Sequence, residues 1–238
     1  EIVYDKVLNS GAVGDRNIDE NTIFAIHSMT KTVTTVAAMI LHEKGMFQLD
    51  DPLHKYLPEF KDVKCKGSEG IYDCENEIKV VDILTHRSGY IYYLDNGDNW
   101  LTGTHNSLYP SYINTSRFNN LDAFSKAVAK HPLEFEPGSM YAYGLNQAIL
   151  GRLIEVISGQ TFYNFLKENI FDKLGMSETK FHLTDDERLR LQPLRVNIKP
   201  NSVFNQTDYN LDGYTIALDG YSYLSLIHIS EPTRRYRI

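Results

Sequence analysis

Ser28 and Lys31 carry side chains suited to covalent chemistry, and they lie three positions apart in the segment Ser28-Met29-Thr30-Lys31. On a helix, this spacing places both side chains on one face. A serine hydroxyl is a weak nucleophile until a neighbouring base accepts its proton, and a partly buried lysine that has lost its charge can help in that role. Backbone N–H groups at the start of a helix also stabilise developing oxyanion charge. The pair therefore indicates acyl transfer through a serine ester.

The helix that must position this pair is predicted by the residues that follow it. Apolar residues recur at helical spacing, and Gly45 is typical of a helix C-terminus. We predict a helix over about 28–44, whose apolar face consists of Met29, Val33, Val36, Ala37, Ile40 and Leu41. The S-x-x-K pattern recurs at Ser177 to Lys180, where no helix is predicted to begin, so the pattern alone is not specific. An ordinary serine at a helix N-terminus is the alternative interpretation of Ser28.

Five blocks of sequence, spread over roughly residues 10–195, resemble one family in the order in which that family shows them. It is the family of serine β-lactamases and penicillin-binding-protein-like hydrolases, specifically the class C β-lactamases and related esterases. The resemblance assigns Ser177 and Lys180 to a structural turn. The blocks are 22–60, 83–89 (ILTHRSG), 135–143 (FEPGSMYAY), 150–155 (LGRLIE) and 170–179 (IFDKLGMSET).

The resemblance implies an α/β (α+β) fold of the β-lactamase/transpeptidase type, with an antiparallel sheet flanked by helices and an α-rich lobe. It also implies an acyl-enzyme mechanism in which Ser28 is the nucleophile and Lys31 its activating partner. Tyr143 stands where the family has a tyrosine that acts as general base or proton shuttle. The alternative for Tyr143 is a packing role, since the chain contains 16 tyrosines. No cofactor and no metal ion is expected.

Substrate contacts are expected just after this tyrosine and in segment 90–120. Where β-lactamases and D-alanyl-D-alanine peptidases have an asparagine, this chain has Leu145, whose side chain cannot form hydrogen bonds. The departure favours esters over acylamino lactams and peptides, although Asn146 lies one position later and would partly compensate. Segment 90–120 is predicted to be a long surface loop in which Tyr90 and Trp100 line an apolar acyl pocket, and a packed irregular loop is the alternative.

The chain is expected to hold a partial hydrolase domain over 1–223, followed by an unrelated segment over 224–238. Residues 224–234 (LSLIHISEPTR) match the translation of a transposase-based sequencing adapter. Within the domain, about 1–60 would form the start of the sheet lobe with the nucleophile helix, and about 61–190 the helical lobe. Late strands, which carry the family's third motif and a second oxyanion donor, would then be missing. We therefore expect the chain alone to be inactive, because losing one such donor typically costs on the order of 10²–10³ in turnover.

The rest of the chain is predicted to be mainly helical. Strands are expected up to about Val13, and a Pro-punctuated connection over 51–66 follows the first helix. Apolar spacing predicts further helices over 80–84, 121–130, 147–158 and 162–174.

The net charge and the cysteines indicate which binding partners and which cellular compartment to expect. The net charge of −7 argues against nucleic-acid binding, and no apolar run is long enough to span a membrane. Cys65 and Cys74 flank a polar, turn-like stretch; a bridge between them would suit an exported (periplasmic or secreted) protein, and two separate reduced thiols are the alternative. The expected partner is a small-molecule ester, lactam or peptide substrate.

The sequence motifs of other classes of hydrolase are absent or incomplete in this chain. No G-x-S-x-G segment is present, which argues against an α/β-hydrolase, and His42-Glu43 lacks the second histidine of a zinc peptidase motif. His27 directly precedes Ser28, but adjacent helix residues point apart, so a serine–histidine pair is not expected. His86 belongs to a block that the family uses structurally at a helix end. The non-enzymatic alternative is a pseudoenzyme or binding protein on the same fold.

Overall fold

The computed structural model describes residues 6–8, 17–91, 120–191 and 226–229, which are mainly helical. No helix in these ranges is both long and apolar enough to cross a membrane. Two 3-10 turns, Leu53–Lys55 and Pro58–Phe60, follow the first helix, and a π-helical turn, Lys167–Phe171, joins the fifth to the sixth. In chain order the other elements are β1 (Ile23–His27), α1 (Thr30–Glu43), β2 (Lys64–Gly67), β3 (Gly70–Asp73), α2 (Val80–Leu84), α3 (Leu121–Val128), α4 (Asn146–Ser158), α5 (Phe162–Leu166), α6 (Asp172–Leu174), α7 (Asp185–Arg188) and β4 (Leu226–Ile229).

Within the described ranges, the strands form two small antiparallel sheets. β1 pairs with β4, so that Ile23 lies opposite Ile229. Strand β4 belongs to segment 224–238, and the adapter origin of that segment stays a prediction. β2 and β3 form a hairpin that begins with Lys64 opposite Asp73.

Helix α4 lies at the centre of the core, and α1 packs directly against it. Ala37 and Ala38 of α1 are fully buried, and their small side chains let the two helices approach closely. On the same face, the Thr34 hydroxyl donates to the Thr30 carbonyl at 3.0 Å. The buried hydroxyl of Thr34 therefore has a hydrogen-bond partner. This packing fixes the start of α1, and with it the backbone of Lys31.

The buried face of α1 includes only part of the predicted apolar face. Met29 is 63% exposed, and Val36 also lies at the surface. The helix begins at Thr30 rather than at Ser28, because a turn precedes it in which the Met29 N–H donates to the Ile26 carbonyl at 3.0 Å. Met29 therefore lies outside the core, next to the predicted nucleophile.

The predicted helices are confirmed with small shifts at their ends. Helix α2 has the predicted bounds, α3 ends at Val128, and α4 begins one residue early. The predicted helix over 162–174 is interrupted by its π-helical turn, where the Asn169 side chain donates to the Phe165 carbonyl at 3.0 Å. The strands predicted up to Val13 fall largely outside the described residues, and 6–8 belong to no helix or strand.

Of the two alternatives for Cys65 and Cys74, the structure has the disulfide bridge, which closes the β2–β3 hairpin. The hairpin is also bound to Leu133. The Lys66 N–H donates to the Leu133 carbonyl at 2.8 Å, and the Leu133 N–H donates to the Lys64 carbonyl at 2.7 Å. The hairpin thereby anchors the segment that leads into the loop before α4.

Candidate active site

Ser28 lies in the turn that precedes α1, and Lys31 lies in the first turn of that helix. The Lys31 Nζ donates a hydrogen bond to the Ser28 Oγ at 3.3 Å. The Lys31 backbone N–H also donates to the Ser28 carbonyl at 3.0 Å, which holds the two residues in this turn. Ser28 is exposed and Lys31 is half-buried, so the hydroxyl is open to a substrate. The structure thus brings the hydroxyl and the amine together, as their spacing predicts.

Tyr143 reaches the same point from the loop that leads into α4. Its Oη lies 2.8 Å from the Ser28 Oγ, in a hydrogen bond that either hydroxyl can donate. The Lys31 Nζ lies 4.9 Å from the centroid of the Tyr143 ring, within the range of a cation–π contact. The Ser28 hydroxyl can accept from Lys31 and form the hydrogen bond with Tyr143 at the same time, because it has one donor and two acceptor sites. A phenol, a hydroxyl and an amine therefore converge, although Tyr143 is 115 positions from Ser28.

His86 supports Tyr143 through a direct contact between their rings. The two rings stack with centroids 4.9 Å apart and planes inclined by 29°, and His86 also meets the ring of Tyr141 edge-on at 6.2 Å. The His86 backbone has a φ of +57°, the left-handed conformation. It follows directly on the end of α2, where the Arg87 N–H donates to the Asp82 carbonyl at 2.7 Å to close the helix.

The His86 imidazole is part of a buried hydrogen-bond network. Its Nδ1 lies 3.4 Å from the Gly144 N–H and 3.2 Å from the Asn146 Nδ2. The same Asn146 nitrogen donates to the Tyr90 carbonyl at 3.3 Å, and the Asn146 Oδ1 accepts from the Ser88 hydroxyl. The network ties the first residue of α4 to segment 86–91.

Lys31 and His86 influence each other electrostatically. Burial, followed by the positive charge of Lys31, lowers the pKa of His86 below its ordinary value of 6.5. The imidazole is therefore neutral at pH 7. The positive charge beside Ser28 and Tyr143 comes from Lys31.

Gly144 lets the loop before α4 lie directly on the backbone of segment 90–91. A Cβ at position 144 would lie 2.1 Å from the Tyr90 carbonyl oxygen and 2.6 Å from the Ile91 Cα, so only glycine fits. Tyr143 is thus held between Ser28 and segment 86–91.

Three of the predicted substrate-binding residues are buried next to Tyr143. Leu145 packs in the core, Tyr90 is 1% exposed and meets Phe60 edge-on, and Asn146 is fully enclosed. Their burial favours a supporting role, because each side chain already has partners inside the protein. Trp100 lies outside the described residues. The roles of these four residues in substrate binding stay predictions.

Two contributors were not predicted from the sequence. The sequence places His86 only at a helix end and indicates no role for Ser88. Both belong to block 83–89, which packs against the loop that ends block 135–143. The only sequence signal that relates these two blocks is their order along the chain, and that order does not indicate how close they lie in the fold.

Ser28, Lys31 and Tyr143 meet at the start of a core helix, beside a small antiparallel sheet and an α-rich lobe. These features define a protein with a β-lactamase/transpeptidase-like fold. The chain belongs to the beta-lactamase family, whose family model matches residues 1–220. The predicted family is thereby confirmed.

Named relatives and a solved structure agree with this assignment. Esterase EstB of Burkholderia gladioli is 31% identical over 173 residues, which cover 73% of this chain and 42% of that protein. A putative D-alanyl-D-alanine carboxypeptidase of Salmonella typhimurium is 28% identical over 169 residues, which cover 68% of this chain and 34% of that protein. The chain therefore spans less than half the length of these relatives. The structure of simvastatin synthase (LovD) from Aspergillus terreus matches with a TM-score of 0.65 and 21% identity, over 91% of this chain and 53% of that chain, which confirms the fold.

Proposed function

We propose that the protein carrying this chain is a serine hydrolase that cleaves esters through a covalent acyl-enzyme. Ser28 is the nucleophile, Lys31 its activating partner and Tyr143 the general base. The observation that carries the proposal is the shared contact, in which the Ser28 Oγ lies 2.8 Å from the Tyr143 Oη and 3.3 Å from the Lys31 Nζ. Relatives named as an esterase and as a carboxypeptidase support hydrolysis of an acyl bond.

Acylation moves one proton and exchanges one bond. The Ser28 Oγ bonds to the acyl carbon while its proton passes to Tyr143 in the phenolate form. The bond from the acyl carbon to the leaving oxygen then breaks, and Tyr143 gives the proton to that oxygen. The Lys31 ammonium, 4.9 Å from the ring centroid, offsets the negative charge that passes between Ser28 and Tyr143.

Deacylation repeats these steps with water. A water molecule attacks the acyl-serine ester, Tyr143 accepts the water proton, and the bond to the Ser28 Oγ breaks. Tyr143 then returns the proton to Ser28. The net reaction consumes one ester and one water and releases an acid and an alcohol.

The preference for esters is supported by Leu145 and Asn146. Leu145 is apolar and buried, so its position offers no amide to bind the acylamide of a lactam or peptide. Asn146 would have compensated, but its amide is already bound to His86, Tyr90 and Ser88. An ester substrate does not need that amide.

Active-site labelling of the full-length protein tests this proposal. We expect a fluorophosphonate to label Ser28 and a fluorescent penicillin not to label it. Labelling by both would favour a lactam or peptide substrate over an ester. Labelling by neither would overturn the proposal and favour a pseudoenzyme or binding protein. Ser28→Ala should abolish labelling, and Ser177→Ala, in the second S-x-x-K segment, is the matched control that should keep it.

A further inference from the structure

We propose that His86 is a positioning residue that holds Tyr143 against Ser28, and that it does so as a neutral imidazole with its proton on Nε2. The inference rests on the proposed role of Tyr143 as general base. It gives a specific function to a histidine that the sequence places only at a helix end.

His86 binds the loop on both sides of Tyr143. Its carbonyl accepts the Ala142 N–H at 2.9 Å, and its Nδ1 accepts the Gly144 N–H at 3.4 Å. Between these bonds, its ring stacks on the ring of Tyr143 at 4.9 Å. One residue therefore contacts the tyrosine and both of its neighbours. Turning the phenol away from Ser28 would require breaking this stack.

The backbone at position 86 would suit glycine better than histidine. The residue just after a helix end often takes a left-handed conformation, and glycine adopts it without the strain that a Cβ brings. Among the described residues, His86 is the only non-glycine with a positive φ, at +57°. Strained positions of this kind cluster at functional sites. The imidazole, which glycine lacks, is the part that contacts Tyr143.

The partners of Nδ1 determine where the imidazole proton lies. The Gly144 N–H can only donate. The Asn146 amide must turn its nitrogen towards His86, because that nitrogen also faces the Tyr90 carbonyl, which can only accept, while the oxygen accepts from Ser88. Nδ1 thus accepts from two donors and carries no proton, which places the proton on Nε2.

The groups around His86 disfavour a second proton. Lys31 faces it from α1, and Tyr141 and Tyr143 face it from the loop before α4. Burial, followed by the charge of Lys31, lowers the pKa of His86. A proton on Nδ1 would point at two donors, including the Gly144 N–H, and the loop would lose its anchor. Acid is therefore expected to slow acylation by releasing Tyr143.

Glycine and asparagine both tolerate a left-handed backbone, so substituting each of them for His86 distinguishes an effect on the position of Tyr143 from an effect on folding. His86→Gly removes the ring without backbone strain, whereas His86→Asn keeps an acceptor, its Oδ1, close to the place of Nδ1. In the full-length protein, we expect H86G to lower the rate of fluorophosphonate labelling and kcat for a p-nitrophenyl ester by about 10- to 100-fold, with KM little changed. H86N should recover part of this loss and give a rate between those of H86G and the wild type, since it retains the acceptor for the Gly144 N–H but not the stacked ring. His131→Asn, a matched change at a histidine away from the site, should leave the rate unchanged.

Two further readouts distinguish positioning from mere structural support. Long-range ¹H–¹⁵N spectra of histidine-labelled protein should show His86 as the Nε2–H tautomer at pH 7.5. The labelling rate of the wild type should fall in acid in step with the titration of His86, and H86N should lack that acid limb. A proton on Nδ1, an H86G rate equal to that of the wild type, or equal losses in H86G and H86N would each overturn the proposal. If Ser28 is not labelled in the wild type, the proposed function fails, while the tautomer of His86 still decides the inference about its hydrogen bonds.

Discussion

The two S-x-x-K segments of this chain have the same pattern and different surroundings. Ser28 and Lys31 stand at the start of the 14-residue helix α1, and the Ser28 hydroxyl lies 2.8 Å from the Tyr143 phenol. Ser177 lies in a turn after α6, and Lys180 forms an ion pair with Glu187 of α7. The prediction that the second segment is a structural turn is consistent with this ion pair.

The two lysines differ in their tertiary neighbours, which the S-x-x-K pattern does not specify. Lys31 is directed at a hydroxyl and an aromatic ring, so its charge acts where a reaction would take place. Lys180 is directed at a carboxylate that also accepts the Thr184 N–H at 2.9 Å to cap α7. Its charge is therefore used to hold a helix start. The chemistry of each segment follows from its tertiary neighbours and not from its spacing.

Replacing each serine should separate the two segments most clearly. Ser28→Ala is expected to lower kcat for a p-nitrophenyl ester on the order of 10⁴-fold or more, because no nucleophile remains to form the acyl-enzyme. Ser177→Ala should change kcat by less than about twofold, since a surface turn carries no part of the reaction. Steady-state kinetics of the full-length protein measure both. Comparable losses of kcat in the two variants would contradict the assignment of catalysis to the first S-x-x-K segment alone.

The tyrosines of the loop before α4 provide the next largest contrast. Tyr143→Phe removes the Oη beside Ser28 and should lower kcat/KM by about 10²–10⁴-fold. Tyr141→Phe keeps the edge-on contact with His86, and we expect a change below about twofold. Circular dichroism of both variants checks that the fold is intact. A Tyr143→Phe rate near that of the wild type would transfer the role of base to Lys31.

Replacing Lys31 should affect catalysis, whereas replacing Lys180 should affect stability. Lys31→Met is expected to lower kcat by about 10²–10³-fold, because the charge beside Ser28 is lost, with little change in the free energy of unfolding. Lys180→Met should leave kcat unchanged and lower the free energy of unfolding by about 1 kcal/mol, since Glu187 loses its partner. Urea unfolding and steady-state kinetics on both variants test this. Loss of activity in Lys180→Met would contradict the assignment.

Acid should affect the two regions over different ranges of pH. Burial lowers the pKa of His86, so its contribution to stability is complete above 6.5 and declines as the pH falls towards the lowered value. Burial raises the pKa of Glu187, but hydrogen bonds from Lys180 and the Thr184 backbone outweigh it and lower the pKa below 4.5. Its contribution is complete above 4.5 and declines only below that pH. Hydrogen–deuterium exchange should therefore show protection lost first around 142–146, and simultaneous loss around 185–188 would argue against this order.

Local pattern was sufficient for most of the helices. The apolar spacing of 80–84 gave the bounds of α2, and that of 147–158 gave α4 to within one residue. The start of α1 was placed too early, because the turn that holds Ser28 depends on the Ile26 carbonyl of the preceding strand. The π-helical turn over Lys167–Phe171 could not be predicted, since its residues are ordinary for an α-helix.

The contact between Ser28 and Lys31 was predictable from their spacing, but the residues that support it were not. Ser28 and Lys31 lie in the turn that leads into α1, so a spacing of three positions is enough to bring their side chains together. Tyr143 could be named only through the family resemblance, because 115 positions separate it from Ser28. The contacts of His86 with Gly144 and Asn146 span 58 and 60 positions, and no local pattern encodes them.

That separation of 115 positions also governs when the proposed site can be assembled. A ribosome that adds about 5–20 residues per second needs roughly 6–23 s to travel from Ser28 to Tyr143. During that time the nascent chain carries Ser28 beside Lys31 without Tyr143, the proposed base. Bringing the two segments together also requires closing a long loop, which is slow compared with forming α1. If Ser28 is the nucleophile, as proposed, it therefore stays without its base until the lobe that carries Tyr143 has folded.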